Sequence, residues 1–592
     1  MTILKNVQYS FQRVLETWPD YFKSLLILQF IRVAIVLPLL SFLFYKMLSR
    51  AKIAGVTNEN FSAIFSHPLA LLIGLALLLL FVFFIFYELG FYILLAHNQA
   101  TGQSIAFWDI AKGLNRKVRF FLSLNSLLLV GYFILIMPIV SIGLNAELTS
   151  MIKIPDFIVD ELSMTTSGLI MYIGVIIVLS YIALHLLYVV YFFVTDKEAT
   201  IWQAIRKSWY FSKGRSISNL VILGLLVGGY GLLLGGITFV LFLPLVFADA
   251  YLPLIAPVVA GITITVVEIF LFLFGGVIQP LVANGIVGTT REGQPFLKDI
   301  PKFKFQPKLW AQTYPKWRNV LIIGLVVFIG FNIWSAISVV YAPQTEIVAH
   351  RGFTEKGVEN TIGSLKAAAE VHADVVEMDI QETRDGKFVV MHDYNLKRLA
   401  GVNEEVRNLN LAELEQLTVK QSGFQDRIPS LSDYIDVAKK ERIKLLIEVK
   451  PHGHESNEMA QNLVNLLKEK NVITDFYVQS LDIKILNEIK EIEPAIQTAY
   501  VIPLNLGSLP ETMHDFYVLE EFSVTESLLT QAAAMNKEVF VWTVNKEDLL
   551  RKYLRLDVDG IITNHPDLAI KLRDSQEETR TFLNRVQYLL ED

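Results

Sequence analysis

Seven apolar runs, at roughly 24–45, 69–96, 120–144, 167–195, 220–248, 253–285 and 319–341, dominate the first part of this 592-residue chain. Each reaches the ~20 residues that a helix needs to cross a bilayer core. Within hydrocarbon a backbone segment must satisfy its own hydrogen bonds, so such runs read as helices. Residues 1–341 are therefore expected to form an all-α, multi-span membrane domain. Its first 22 residues mix Lys5, Arg13, Glu16 and Asp20 with aromatics, which suits an amphipathic surface segment and not a cleavable leader.

Lysine and arginine set the expected orientation. Segments 1–22, 97–119, 196–219 and 286–318 hold eighteen of them, against four in the alternating segments 46–68, 145–166 and 249–252. The richer set belongs in the cytoplasm. The N-terminus is then cytoplasmic, and after seven spans everything from residue 346 onward is extracellular. Four ionisable residues lie within the apolar runs: Arg32, Glu88, His185 and Glu268. They read either as lining a path for a headgroup or solute or, more commonly, as interhelical pairs. The glycines of "VGGYGLLLGG" in the fifth run are expected to serve close helix packing.

Composition excludes several classes. A formal charge of −6 gives no reason to expect a nucleic-acid partner. The absence of cysteine removes disulfides, thiolate catalysis and cysteine zinc sites.

Beyond residue 346 the pattern changes to short β-rich runs alternating with amphipathic helical ones. "EIVAH", "VVEMDI", "KLLIEVK", "FYVQS", "IQTAYVI", "DFYVLEE", "EVFVWTV" and "DGIIT" supply eight strands, which fits a (β/α)8 TIM barrel over residues 346–572. "FVVMH" follows the second strand too closely for a parallel crossover and reads as a hairpin at the mouth. Residues 573–592 read as a C-terminal amphipathic helix packing on the barrel or on a partner. The linker "APQT" holds the barrel close to the last span.

Charged residues then fall at one predicted end of these strands. His350 ends the first strand and His392 the hairpin; Glu377 and Asp379 sit two apart in the second, and Glu448 and Lys450 two apart in the third. A spacing of two puts both side chains on one face of a strand. Three converging carboxylates suit one hard divalent cation, Ca2+ or Mg2+. Arg351 and Lys450 suit a phosphate, and two histidines suit an acid and a base. Together they point to phosphodiester hydrolysis.

At these residues the chain resembles the membrane-anchored glycerophosphodiester phosphodiesterases. The resemblance rests on "HRG" at 350–352, "ENT" at 359–361, "EMDIQETRDGKFVVMHD" at 377–393, "EVK" at 448–450, "WTV" at 542–544 and "DGIITNHP" at 559–566. It implies cleavage of a glycerophosphodiester to glycerol 3-phosphate and an alcohol. It also implies Glu377, Asp379 and Glu448 as metal ligands, His350 and His392 as the acid/base pair, and Arg351 and Lys450 on the phosphate. Glu359 and Asn360 would complete the site and Trp542 would line the pocket. Attack by the neighbouring glycerol hydroxyl through a cyclic phosphate, or by water directly, are both open routes. The chain departs from the family at "QSLD", where Leu481 replaces a usual phenylalanine, and at "PSLSD". The substrate is expected to be a soluble glycerophosphodiester or derived from membrane lipid. Lysophospholipase D-type cleavage and a non-catalytic headgroup-binding protein are the alternatives.

Overall fold

The computed structural model describes residues 3–103, 105–123, 125–143, 156–163, 165–292, 308–338, 343–575 and 581–591. Parts of the expected 145–166 connection, of the lysine-rich 286–318 segment, of the "APQT" linker and of the 573–592 tail lie outside them.

The membrane half opens with α1 (Ile3–Glu16), which docks through Asn6, Ser10 and Val14 and is more than a surface segment. It is followed by α2 (Trp18–Ala51), α3 (Pro68–Thr101), the pair α4 (Phe107–Phe121) and α5 (Asn125–Gly143), α6 (Thr166–Thr195), α7 (Ser216–Tyr251), α8 (Ala256–Thr290) and α9 (Lys308–Ser338). Six of these, α2, α3 and α6–α9, contain stretches long and apolar enough to span a bilayer alone. The 120–144 run differs, because it belongs to a helix pair bent by 109°.

Polar contacts sort the connections onto two faces. The Lys117 amine donates to the main-chain oxygens of Asp196 and Ala199 at 2.9 Å each, and Arg215 pairs with Glu292 at 3.1 Å. Asn6 brings α1 to that same face by donating to the Gly285 oxygen at 3.1 Å. Helix α6 ends on this face and begins at the opposite end of the bundle.

The ionisable groups in the apolar runs have interhelical partners. Arg32 pairs with Glu88 at 3.5 Å, and Glu268 accepts from Asn332 at 2.8 Å. The His185 ring stacks on Trp209 at 4.5 Å between centroids. The expected packing role of the α7 glycines is met only at Gly229, where a Cβ would lie 3.8 Å from Phe11 of α1. A Cβ added at Gly228, Gly231, Gly235 or Gly236 would meet nothing within 4 Å, because that face of α7 points out of the bundle. Close approach is made instead at Gly261, where a Cβ would lie 2.6 Å from the Ile333 nitrogen of α9.

Residues 346 onward form the expected closed barrel. Its strands are β2 (Glu346–Ala349), β3 (Val375–Glu382), β7 (Lys444–Val449), β8 (Tyr477–Ser480), β9 (Gln497–Ile502), β11 (Phe516–Glu520), β12 (Glu538–Trp542) and β13 (Gly560–Thr563). All run parallel in the order β2-β13-β12-β11-β9-β8-β7-β3, closed by β2 on β3. The hairpin strand β4 (Phe388–Val390) lies antiparallel on β3, and β5 (Thr418–Gln421) pairs with β6 (Phe424–Arg427) outside the barrel.

Alternation along the strands divides the core. Val348, Val375, Leu446, Ala499, Val501, Phe516, Val518, Phe540 and Ile562 fill the interior. Ile347, Val376, Met378, Ile447 and Tyr500 pack outward under the helices. A fully buried side chain of this kind stabilises the fold by about 1.5–3 kcal/mol. Gly560 is demanded by the interior, since a Cβ there would sit 2.6 Å from the Phe540 ring.

Among the described residues, two contacts join the halves. In the α2–α3 connection β1 (Gly55–Thr57) pairs antiparallel with β10 (Asn505–Gly507), which follows β9 in the barrel, with Val56 opposite Leu506. A Cβ on Gly507, at φ 108°, would lie 2.9 Å from Leu48 of α2, so the barrel rests directly on the end of that helix. The tail helix Phe582–Glu591 returns to the membrane half and not to the barrel wall. Val586 is buried against Leu245, Ala260, Ile264 and Ala336, and Asp249 accepts the Phe582 and Leu583 N–H groups at 3.1 and 2.6 Å.

Candidate active site

The site begins where β2 runs out. The His350 N–H still donates to Thr563 of β13 at 2.9 Å, and the next two residues, Arg351 (φ 57°) and Gly352 (φ 82°), turn left-handed. Arginine in that conformation costs about 1–2 kcal/mol. The turn aims the Arg351 N–H at Glu377, whose Oε2 accepts it at 2.9 Å. Asn360 is also left-handed (φ 59°) and grips Asp379 twice. Its amide nitrogen donates to Asp379 Oδ2 at 2.8 Å, and its amide oxygen accepts the Asp379 N–H at 3.0 Å.

Glu377 and Asp379 point inward from β3, and Glu448 from β7, whose register sets Asp379 opposite Glu448. One oxygen from each carboxylate lies within 4.8 Å of the others. Gln479 on β8 donates to Glu448 at 2.9 Å. Burial and then the neighbouring Asp379 and Glu448 charges push the Glu377 carboxyl far above its ordinary range. Burial, followed by Asp379, also raises Glu448. Asp379 stays low despite burial, held down by Lys450, whose amine is 3.5 Å away, and by the positive groups around it. Two buried carboxylates and a half-buried third, converging at one point, form a cluster that a single cation could hold together. The donors are all oxygen, so they fit a hard divalent ion.

A second group, Glu359, His392 and Asp393, also brings its ligand atoms within 4.8 Å. Here a side chain already supplies the positive charge. Arg398 donates to both oxygens of Glu359 (2.9 and 2.6 Å) and both of Asp393 (2.6 and 2.9 Å). Burial works against the Glu359 charge, but the Arg398 and Arg351 guanidinium groups keep its carboxyl below the usual range. Arg351 reaches Glu359 at 3.2 Å and Asp379 at 3.5 Å.

The two histidines are held through Nδ1 by different partners. His350 Nδ1 faces the Asn564 amide oxygen at 2.8 Å, with Nε2 4.0 Å from Glu377. Burial and the adjacent Arg351 lower His350 to about 3, so its ring is neutral. His392 Nδ1 faces the Asp393 carboxylate at 2.9 Å. Trp542 ends β12 and packs on the interior cluster.

All the residues singled out from sequence thus lie at the C-terminal ends of the barrel strands or in the loops that follow. Arg351, Lys450 and Asn360 spend contacts on Asp379, and Glu359 spends its own on Arg351 and Arg398. Sequence reasoning assigned nothing to Asp393, Arg398, Asn564 or Gln479. Asp393 had a visible signal, since it directly follows His392, and Asn564 lies within a motif already singled out.

A parallel barrel with a carboxylate cluster and two histidines at its mouth defines a class, the phosphoric diester hydrolases built on this fold. The comparisons with known proteins narrow it. Residues 7–329 match the membrane domain of glycerophosphoryl diester phosphodiesterase, and residues 350–568 match the glycerophosphoryl diester phosphodiesterase family. The chain belongs to that family of enzymes, in its membrane-anchored form. YhdW of Bacillus subtilis is 31% identical over 236 residues, covering 38% of this chain and 96% of that protein. A glycerophosphodiester phosphodiesterase of Caldanaerobacter subterraneus is 28% identical over 243 residues, covering 39% and 98%. Among solved structures, a phosphodiesterase of Oleispira antarctica in complex with the product sn-glycerol-3-phosphate aligns at 23% identity and a TM-score of 0.35, covering 39% and 97%.

Proposed function

We propose that the protein hydrolyses glycerophosphodiesters to glycerol 3-phosphate and an alcohol, with a divalent cation held by Glu377, Asp379 and Glu448 and with His350 and His392 as the proton carriers. The observation that carries this reading is the convergence of the three carboxylates, with one oxygen of each within 4.8 Å of the others, among positive side chains and beside His350. When bound, such an ion supplies positive charge to the phosphoryl oxygens. Arg351 and Lys450 would add theirs from the same mouth.

The two hydrogen-bond partners divide the histidine roles. Asn564 is neutral and fixes His350 in a form whose Nε2 accepts a proton, so His350 takes it from the attacking hydroxyl. Asp393 balances the charge of a protonated His392, so His392 gives a proton to the departing alcohol oxygen. Glu359 and Asn360 act through Arg398 and Asp379, and Trp542 walls the interior side.

We place the barrel outside the cell and the N-terminus in the cytoplasm. The excess of lysine and arginine on one set of connections supports this, as does the contact of the α2–α3 connection with the barrel.

Release of glycerol 3-phosphate from glycerophosphocholine by the detergent-purified chain tests the chemistry. Chelation is expected to abolish release, with Ca2+ or Mg2+ restoring it, and His350→Ala to lower kcat by roughly 10²–10⁴-fold. Full activity in chelator would remove the cation from this reading, and unchanged activity in His350→Ala would remove the base.

A further inference from the structure

The segment after β4 and the loop after β7 close on each other beside the carboxylates. Past β4 the chain runs through His392 and Asp393 to Tyr394, and past β7 it runs through Lys450 to Pro451. The Tyr394 hydroxyl donates to the Pro451 oxygen at 2.9 Å, so this side chain reaches from the His392 segment to the Lys450 loop. Its main chain is pinned as well, because the Tyr394 oxygen accepts the N–H of the fully buried Val406 at 2.9 Å. Held at both ends, Tyr394 is still 46% exposed. A ring that is both fixed and open loses little conformational freedom when a ligand covers it.

A carboxylate stands on the same piece of main chain. Glu455 Oε1 accepts the Gly453 N–H at 2.6 Å and the His452 N–H beside it. Tyr394 and Glu455 thus anchor on three consecutive residues, 451–453. Burial works against the Glu455 charge, but main-chain N–H groups keep its carboxyl below the usual range. Burial also raises the Tyr394 phenol, and the charges of Lys450, Glu448, Glu455 and Asp379 act on it in turn, so the ring lies within their field. Of those three carboxylates, Asp379 and Glu448 are assigned above to the divalent cation. Glu455 remains.

We propose that Tyr394 and Glu455 form the subsite that reads the leaving alcohol, and that they favour an alcohol carrying a positively charged nitrogen over a neutral polyol. The inference rests on the reading above, in which His392 gives its proton to the departing alcohol oxygen. That oxygen then lies against His392, and the rest of the alcohol extends past the ring two residues further on. The face of a tyrosine attracts a cation within about 6 Å of its centre. The Glu455 charge adds to that attraction, and a polyol gains from neither.

Release of glycerol 3-phosphate by the full detergent-purified chain reads the selection, with glycerophosphocholine against glycerophosphoglycerol. The intact protein is expected to favour glycerophosphocholine in kcat/KM. Tyr394→Leu should lower the ratio of the two values about tenfold, the size of a lost cation–ring contact. Tyr394→Phe keeps the ring and should hold the ratio within threefold of the intact protein. Glu455→Gln keeps the shape, removes the charge and should lower the ratio about threefold. Equal cleavage of both diesters by the intact protein, or a ratio unmoved in Tyr394→Leu and Glu455→Gln, overturns this inference and leaves the proposed function standing. A ratio lost as fully in Tyr394→Phe as in Tyr394→Leu overturns the role of the ring. Cleavage of neither diester by the intact protein overturns the proposed function and this inference with it.

Discussion

Arg398 shows how one side chain sets the geometry of several others in the site. Its guanidinium joins Glu359 to Asp393, and Asp393 in turn orients His392. Lysine keeps the charge and loses the fork that grips both carboxylates. Arg398→Lys is expected to lower kcat about 10–100-fold, in the range of other orienting partners, with KM within twofold and cation affinity unchanged. A rise in KM alone would make Arg398 a substrate contact. His514 offers a test of stability. It is fully buried and bonded to Thr498 Oγ1 at 3.0 Å, and burial lowers it from 6.5 to about 4. Between those values the unfolded chain takes up a proton that the folded chain refuses, so each fall in pH favours unfolding. His514→Gln should therefore flatten the loss of Tm between pH 6.5 and pH 4, read by thermal melts; parallel curves would assign the acid limb elsewhere. The two histidines and the carboxylates were legible because charge at the end of an apolar strand stands out. Arg398 was not, because its partners come from separate loops that only the folded barrel brings together.

At the level of elements, strand alternation was a dependable guide, and each expected barrel strand is present to within two residues at its ends. The glycine run of α7 misled, because small residues read the same whether they face a helix or open space. The strand β1 left no signal at all, being three residues without periodicity. The tail helix was visible by its amphipathic pattern, yet the pattern could not say which surface it meets. Asp249 caps that helix from the end of α7. Losing such a cap costs about 1 kcal/mol, so Asp249→Ala should raise amide exchange within 582–591 about fivefold. Unchanged exchange would mean that burial of Val586 alone holds the helix.

At the scale of the whole molecule, the sidedness of the connections makes the topology testable with unusual economy. The chain has no cysteine, so single cysteines report without background. Ser62→Cys should react with a membrane-impermeant maleimide on intact cells, and Lys213→Cys only after permeabilisation. The reverse pattern would invert the placement proposed above.

Among the described residues, the barrel is tied to the membrane half through the pairing of β10 with β1 and through the tail helix on α7 and α8, and the chain itself joins them at the linker before β2. A body hung from one flexible point can turn about every axis, and each further attachment takes rotations away. With three, the mouth keeps one height and one heading relative to the spans. The orientational search that a free-swinging body repeats at each encounter is thus completed once, when the chain folds.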